Sequence, residues 1–353
     1  GAAPWYLADR SRSRSELPWF VAETYVYHRL LEASGYWDEG AQGFGFDIFA
    51  AEKAAALAGA QDLVPVRIST CLKASGIWEL GAFRSLLHMA LWGNQGDSSL
   101  FTVEDLQGKG TTKDNSKILV DDTEKIFDLM SSRQGEVHLF NDNSGMELIS
   151  DLAFVHYLLS TKRFTKVVLN LKPFPFFVSD AMPSDVRNTL AFLKESGNPD
   201  EIKVAEDLEA ALKDGTLEMT SDTPLNFFLA NGEPMWKMPE DVRAKLSASA
   251  AIVITKGDLM YRKLLGDRTF KPDERFEKIL SYFPTPVASL RTNKSPLAVG
   301  LPPGRAEELF ESHPKWQVNG EFGLIQFASP APGAKVSSTP TSIEIRYSDG
   351  DGK

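Results

Sequence analysis

The sequence is poor in cysteine, in long apolar runs and in positive charge. Cys71 is the single cysteine in 353 residues, which excludes an intramolecular disulfide and fits a reducing, cytoplasmic environment. No segment approaches 18 consecutive apolar residues, and the first residues lack the apolar run of a signal peptide. With 38 Lys and Arg against 48 Asp and Glu, the formal charge is −10, which argues against a general nucleic-acid binder. We therefore expect a cytoplasmic protein that binds neither nucleic acid nor membrane, as a monomer or weak homo-oligomer.

Histidine patterns that bind zinc are also missing. The five histidines are His28, His88, His138, His156 and His313. None of them stands in H-x-H or H-E-x-x-H spacing, so a zinc site is not expected.

The spacing of apolar residues predicts a mainly helical lobe over residues 1–115. Three segments place apolar residues three and four positions apart: WFVAETYVYHRLLEA, DIFAAEKAAALAGA and GAFRSLLHMALWG. Over residues 116–330, short β-branched runs alternate with amphipathic helices, which indicates an α/β core with a mostly parallel sheet flanked by helices. Residues 181–248 read as a helical insertion between strands, and residues 331–353 form a Ser/Pro-rich tail.

Oxygen-bearing side chains follow two of the predicted strands. EVHLF leads into Asp142 and Asn143, and the KVVLNL segment leads towards Asp180. In an open α/β sheet, ligands bind at the carboxyl ends of the strands. Asp and Asn oxygens suit hard cations such as magnesium, manganese or cobalt. These three residues are therefore the predicted metal ligands.

Two further strand ends carry positive charge. AIVIT is followed by Lys256 and Asp258, and PVASL is followed by Arg291 and Lys294. Lys and Arg at such positions suit an anionic substrate, phosphate above all.

Each of these positions also fits a structural explanation. Asp142 and Asn143 are residue types that begin helices, and Ser144-x-x-Glu147 has the form of a capping box. Asp258 also fits the cap of the next helix, and Asp180 fits a solvated loop.

Several runs together resemble the damage-control phosphatases, in particular their third subfamily, which an R-T-x-K motif marks. The runs are LPWFVAETYVYHRLLEA, ALWGNQGDSSL, NDNSGMELISDLAFVHYLL, LKPFPFFVSDAM, KGDLMYRKLLGDR and SLRTNKSPLAVGL. They occur in the family's order over nearly the whole chain, from about residue 18 to about residue 328.

The resemblance implies a metal-dependent phosphatase that acts on sugar phosphates such as fructose 1-phosphate or fructose 6-phosphate. It places Mn²⁺, Mg²⁺, Co²⁺ or Ni²⁺ on Asp142, Asn143 and Asp180, with Asp142 and Asp258 as catalytic residues. Substrate contacts fall on Asp258, Tyr261, Arg262, Arg291 and Lys294. Asn94, Asp97 and Glu147 are further candidates near the site.

Two departures from the family pattern bear on the substrate. Met260 stands where relatives carry Asn, so if it faces the pocket it replaces a polar contact with apolar surface. Relatives also carry more residues before the P-W-F segment, which leaves the completeness of the helical lobe open.

Three alternatives remain open. The same phosphatase chemistry also fits a phosphoester of specialised metabolism, such as a prenyl or aromatic phosphate. A carboxyl methyltransferase using S-adenosylmethionine is the second, although the G-x-G at residues 108–110 follows no convincing strand. A catalytically inactive binding or scaffold protein is the third, and the intact set of Asp142, Asp180, Arg262 and Lys294 argues against it.

Overall fold

The computed structural model describes residues 19–93 and 115–330. The predicted tail, Asn94, Asp97 and the G-x-G at 108–110 lie outside these ranges, so their predictions are not addressed by the fold.

The described residues form a seven-stranded sheet in the order β1-β7-β6-β5-β2-β3-β4. The strands are β1 (Ile118–Asp121), β2 (Glu136–Phe140), β3 (Lys166–Asn170), β4 (Leu217–Thr220), β5 (Ala250–Lys256), β6 (Val287–Thr292) and β7 (Gly323–Ala328). Neighbouring strands pair in parallel except β6 and β7, which pair antiparallel. The central strands are short apolar runs buried on both faces, as parallel sheets require. The predicted α/β class with a mostly parallel sheet is confirmed.

Helices cover both faces of this sheet. They are α1 (Trp19–Ser34), α2 (Ala50–Gly59), α3 (Val64–Ala74), α4 (Leu80–Leu91), α5 (Thr123–Ser132), α6 (Met146–Ser160), α7 (Pro183–Glu195), α8 (Pro199–Asp214), α9 (Pro224–Leu229), α10 (Glu240–Ser249), α11 (Gly257–Leu265), α12 (Phe276–Ile279) and α13 (Arg305–Ser312). One apolar cluster joins α3 to α8 with one face of the sheet, and a second joins α1 and α9 to α13 with the other face. The region before the sheet is helical, as predicted, and α3 and α4 share the core of the α/β region.

The segment predicted as a helical insertion, residues 181–248, holds α7 to α10. It also contributes β4, which pairs with β3 at the edge of the sheet. No helix in the described ranges has the length and apolar character needed to cross a membrane.

The strand order reverses between β2 and β5. From β2 the chain moves outward to β3 and β4, then returns to place β5 on the opposite side of β2. Because β6, β5, β2 and β3 are parallel neighbours, the residues that follow them meet at one edge of the sheet. The crevice at such a reversal point is where open α/β sheets bind ligands.

Candidate active site at the carboxyl ends of the sheet

The segment between β2 and α6 carries Asp142 and Asn143 into this crevice. Helix α6 begins at Met146, and its cap residue is Gly145, which has φ +68° and makes no side-chain capping bond. The Ser144 hydroxyl is buried and has no hydrogen-bond partner among the described residues. The capping explanations for this segment are therefore wrong, because neither Asp142, Asn143 nor Ser144 caps the helix.

Asp180 reaches the same place through the loop that follows β3. Asn143 and Asp180 form an isolated antiparallel bridge, with Ser144 N donating to Ser179 O at 2.7 Å. In this loop Phe177 and Val178 have φ of 45° and 63°, a conformation that typically costs about 1–3 kcal/mol for such side chains. The fold thus brings the three predicted metal ligands together, with Asp180 on a strained loop and Asp142 and Asn143 on the segment that pairs with it.

Asn143 links the two sides of this segment. Its Nδ2 donates to Asp142 Oδ2 and to Glu147 Oε2, both at 2.9 Å, and its Oδ1 accepts from the Ser179 hydroxyl at 2.5 Å. Glu147 is only 5% exposed. It therefore supports Asn143 from the first turn of α6 instead of acting as a helix cap.

Two buried lysines form ion pairs with the carboxylates of Asp180, Glu147 and Asp151. Lys172 Nζ lies 2.9 Å from Asp180 Oδ2 and donates to Asn141 O at 3.1 Å. Lys256 Nζ lies 2.6 Å from Asp151 Oδ1 and 3.1 Å from Glu147 Oε1.

Lys256 was predicted from its strand end to suit an anionic substrate. Instead it is fully buried and also donates to Ala90 O at 2.6 Å. Its ammonium group is committed to the protein, so that prediction is wrong. Lys172 was not singled out from the sequence, where a lysine after a strand is easily taken for a surface residue.

Around Asp142 and Asp180, the buried carboxylates outnumber the lysines that pair with them. The carboxylates are Asp142, Glu147, Asp151 and Asp180, and the paired lysines are Lys172 and Lys256. The buried Lys53 also lowers the pKa of Asp180, but it is paired with Asp185.

The pKa values reflect this imbalance. Burial raises the pKa of Asp142 well above its usual range, Glu147 and Asp180 raise it further, and Lys172 and Lys294 lower it. Burial also raises the pKa of Asp180, which Lys172 lowers. A cation bound beside Asp142 and Asp180 would reduce the repulsion among the carboxylates.

The donor set fits a hard divalent cation. Asp142, Asn143 and Asp180 offer carboxylate and amide oxygens, without sulfur or imidazole. Across residues 19–93 and 115–330, no cluster of three or more His, Cys, Asp or Glu side chains has metal-binding geometry. The candidate metal site therefore needs the Asn143 amide as a third ligand beside the two carboxylates.

The turn between β5 and α11 forms the opposite wall of the crevice. Gly257 has φ +81°, and a Cβ atom at this position would collide with the Asp142 carboxylate. Only glycine therefore allows the two segments to approach this closely.

Arg291 organises the R-T-x-K loop from inside. It is 0% exposed, and its Nε donates to Asp258 Oδ1 at 2.6 Å. Its Nη2 donates to Ser295 O at 2.8 Å, and its Nη1 donates to Leu297 O. The same Asp258 oxygen accepts from Lys294 N at 3.2 Å and from the Ser295 hydroxyl at 3.1 Å. Asp258 thus binds this loop and does not cap α11.

Lys294 has the opposite surroundings. Its side chain is exposed, while its charge reaches the Asp142 carboxylate and lowers the pKa of that group. Among the residues predicted to contact substrate, Lys294 has the geometry best suited to meet an incoming anion.

The other predicted substrate contacts are more enclosed. Tyr261 is fully buried, and its hydroxyl donates to Gln326 Oε1 at 2.9 Å and accepts from Val299 N at 3.3 Å. Arg262 is largely buried, with Asp267 Oδ1 2.8 Å from its Nε. Met260 is 0% exposed and belongs to the second apolar cluster, so it does not face the pocket.

A cavity of about 400 Å³ opens beside the metal-ligand loops, a volume typical of small-molecule sites. Asn143, Ser144, Val178 and Ser179 line it on one side, and helix α2, including Lys53, lines it on the other. Lys53 is already paired with Asp185 at 2.9 Å.

A second polar chain lies at the far end of α6. Cys71 Sγ is 3.2 Å from His156 Nδ1, and His156 Nε2 is 2.9 Å from Asp207 Oδ2. This order imitates a nucleophilic triad, but Cys71 is 0% exposed and burial raises the pKa of its thiol. Since the thiolate is the nucleophile, this cysteine is inert.

The fold and the crevice define an α/β protein with a cluster of carboxylate and amide oxygens, and an exposed lysine near them, at the point where the strand order of its sheet reverses. Residues 6–309 match the damage-control phosphatase ARMT1-like domain. Rat damage-control phosphatase ARMT1 (Rattus norvegicus) is 33% identical over 335 residues, covering 89% of this chain and 74% of the relative. Its human counterpart (Homo sapiens) is 31% identical over 339 residues, covering 89% and 75%. The chain belongs to the ARMT1-like damage-control phosphatase family, which supports a role as a metabolite-repair phosphatase.

Among solved structures, a DUF89 family protein from Pyrococcus horikoshii aligns with a TM-score of 0.46 and 14% identity. The alignment covers 87% of this chain and 81% of that chain. This similarity is too weak to bear on function.

Proposed function

We propose that this protein is a divalent-metal-dependent phosphatase that hydrolyses small phosphorylated metabolites, with sugar phosphates such as fructose 1-phosphate or fructose 6-phosphate as substrates. The observation that carries the proposal is the crevice at the reversal point. There, buried carboxylates in excess of their paired lysines lie against Gly257, and the exposed Lys294 acts electrostatically on Asp142.

Asp142, Asn143 and Asp180 would hold the metal, which can be Mn²⁺, Mg²⁺, Co²⁺ or Ni²⁺. When bound, such a cation supplies Lewis-acid activation of a phosphoryl group and of water. Lys172 and Glu147 keep Asp180 and Asn143 in place for it.

Lys294 would bind the phosphate oxygens and stabilise the charge that develops during transfer. Arg291 and Asp258 fix the backbone on which Lys294 stands, since Asp258 accepts from Lys294 N. In this assignment Arg291 and Asp258 position the ammonium group of Lys294, and neither needs to contact the substrate.

The test is release of inorganic phosphate from para-nitrophenyl phosphate and from a panel of sugar, prenyl and aromatic phosphates. Protein treated with a chelator should be inactive and should recover on addition of Mn²⁺ or Mg²⁺. Release of phosphate from none of these esters would refute the proposal, and full activity after chelation would refute its metal dependence.

A further inference from the structure

Helix α1 reaches from one side of the crevice to the other. At its start, the Arg262 guanidinium carbon lies 4.0 Å from the centroid of the Trp19 ring and 5.5 Å from that of Phe20. At its middle, Tyr27 stacks on Phe177, with 4.8 Å between ring centroids. Phe177 belongs to the strained loop that carries Asp180, so α1 connects Arg262 with the metal-ligand side of the site.

Glu23 lies between these two anchors. Residues 19, 23 and 27 are four positions apart, which places their side chains on the same face of the helix. The Glu23 carboxylate interacts electrostatically with Arg262, Asp267 and Asp180. This face of α1 therefore looks into the crevice.

The Glu23 carboxylate is only partly satisfied. Its Oε2 is enclosed and has no hydrogen-bond partner among residues 19–93 and 115–330. Arg262 does not supply one: its Nε and Nη2 bind Asp267, at 2.8 and 2.7 Å, and it makes no hydrogen bond to Glu23 Oε2. Burial raises the pKa of Glu23 to about 7, Arg262 lowers it, and Asp267 and Asp180 raise it. An enclosed acceptor without a donor is unfavourable, and a ligand hydroxyl would supply the missing donor.

Asp258, which was predicted to contact the substrate, is less suited to binding a ligand hydroxyl. Its Oδ1 already accepts from Arg291, Lys294 and Ser295. Asp258 is thereby tied to the R-T-x-K loop, whereas Glu23 Oε2 is enclosed and has no donor among the described residues.

We propose that Glu23 is a substrate-contacting residue whose carboxyl group binds a hydroxyl of the organic part of the phosphoester, so that the site selects phosphorylated polyhydroxy compounds. This inference rests on the proposed phosphatase function. Trp19, one helical turn before Glu23, has an exposed ring, a surface that suits the C–H face of a sugar.

The experiment compares Glu23→Leu and Glu23→Gln on two substrates, fructose 6-phosphate and para-nitrophenyl phosphate. The second ester has no hydroxyl on its organic part. Glu32→Gln is the matched control, because Glu32 lies exposed on the same helix and pairs with Arg29. Thermal unfolding of each variant verifies that it is folded.

Glu23→Leu should lower kcat/KM for fructose 6-phosphate by about 10- to 100-fold, the range for losing a hydrogen bond to a charged group. It should leave para-nitrophenyl phosphate hydrolysis unchanged. Glu23→Gln, which keeps an acceptor oxygen, should lose less, and Glu32→Gln should resemble the wild type on both esters.

Equal losses on both esters would overturn the inference, since Glu23 would then act on the phosphoryl group or on the fold. No loss on either ester would overturn it as well. If the wild type hydrolysed neither ester, the phosphatase function itself would fail, and that result is distinct from both.

Discussion

Two polar clusters lie within one crevice, and they differ in how completely they are satisfied. Around Arg291, the buried guanidinium meets Asp258, Ser295 and Leu297, and its donors find oxygen acceptors. Around Asp142, burial and like charges raise the pKa of the carboxyl group. The hydrogen bonds of the first cluster are satisfied within the protein, whereas the second retains repulsion between buried carboxylates. Satisfied networks fix structure, and incomplete ones indicate where a ligand binds.

The largest effect is expected at Asp142. Asp142→Asn keeps the shape of the side chain but removes the charge that the metal requires, so phosphate release should fall to the uncatalysed level. Metal-free protein should not lose thermal stability, because the change relieves repulsion with Glu147 and Asp180. Glu307→Gln, at an exposed position on α13, is the control, and unfolding of Asp142→Asn would mean that Asp142 is structural.

The opposite result is expected at Arg291. Arg291→Met leaves Asp258 without its buried partner and should lower the free energy of unfolding by about 3–5 kcal/mol, the usual loss when one member of a buried pair is removed. Denaturant unfolding measures this directly. An Arg291→Met protein of normal stability would contradict the account, because the loop would then not depend on the guanidinium.

A smaller effect is expected at Lys294, where a substitution should change the activity and leave the thermal stability unchanged. Lys294→Met should reduce kcat/KM by roughly a hundredfold, about 3 kcal/mol of transition-state binding. Thermal unfolding should be unchanged, since the side chain is exposed. Lys245→Met, at an exposed position on α10, should behave like the wild type. Normal turnover by Lys294→Met would move the phosphate site elsewhere.

The smallest effect is a pH dependence at Glu23. Its pKa is raised from 4.5 to about 7 in the folded chain, so the folded state holds this proton more tightly than the unfolded state does. Stability from this group is therefore present below pH 4.5 and is lost as pH rises through 7. Relative to the wild type, Glu23→Gln should gain in unfolding temperature between pH 4.5 and 7 and stay constant above that. A difference that is the same at pH 4.5 and at pH 8 would show that the Glu23 pKa is not raised.

The strands β1, β2, β3, β5 and β6 and their endings could be predicted from the sequence because short β-branched or apolar runs leave a strong pattern. The edge strand β4 (Leu217–Thr220) could not, since it lies within the segment predicted as helical. The convergence of Asp142, Asn143 and Asp180 followed from the parallel-sheet rule. Their roles as ligands remain predictions, since they derive from oxygen chemistry and family resemblance.

Other features needed the three-dimensional arrangement. Lys256 ends β5 and Lys294 follows β6 by two residues, and only packing against α6 shows that Lys256 turns inward while Lys294 stays exposed. Met260 follows Asp258 in the motif by two positions, yet it faces the apolar core. Glu23 belongs to an amphipathic helix, and periodicity alone does not reveal which partner its polar face meets.

Binding of Mn²⁺ to chelator-treated protein, counted by electron paramagnetic resonance, tests the central claim most directly. We expect one Mn²⁺ per chain for the wild type and loss of that binding in Asp142→Asn and Asp180→Asn, with both variants still folded. Equal Mn²⁺ binding by the wild type and both variants, or no binding by the wild type, would contradict it.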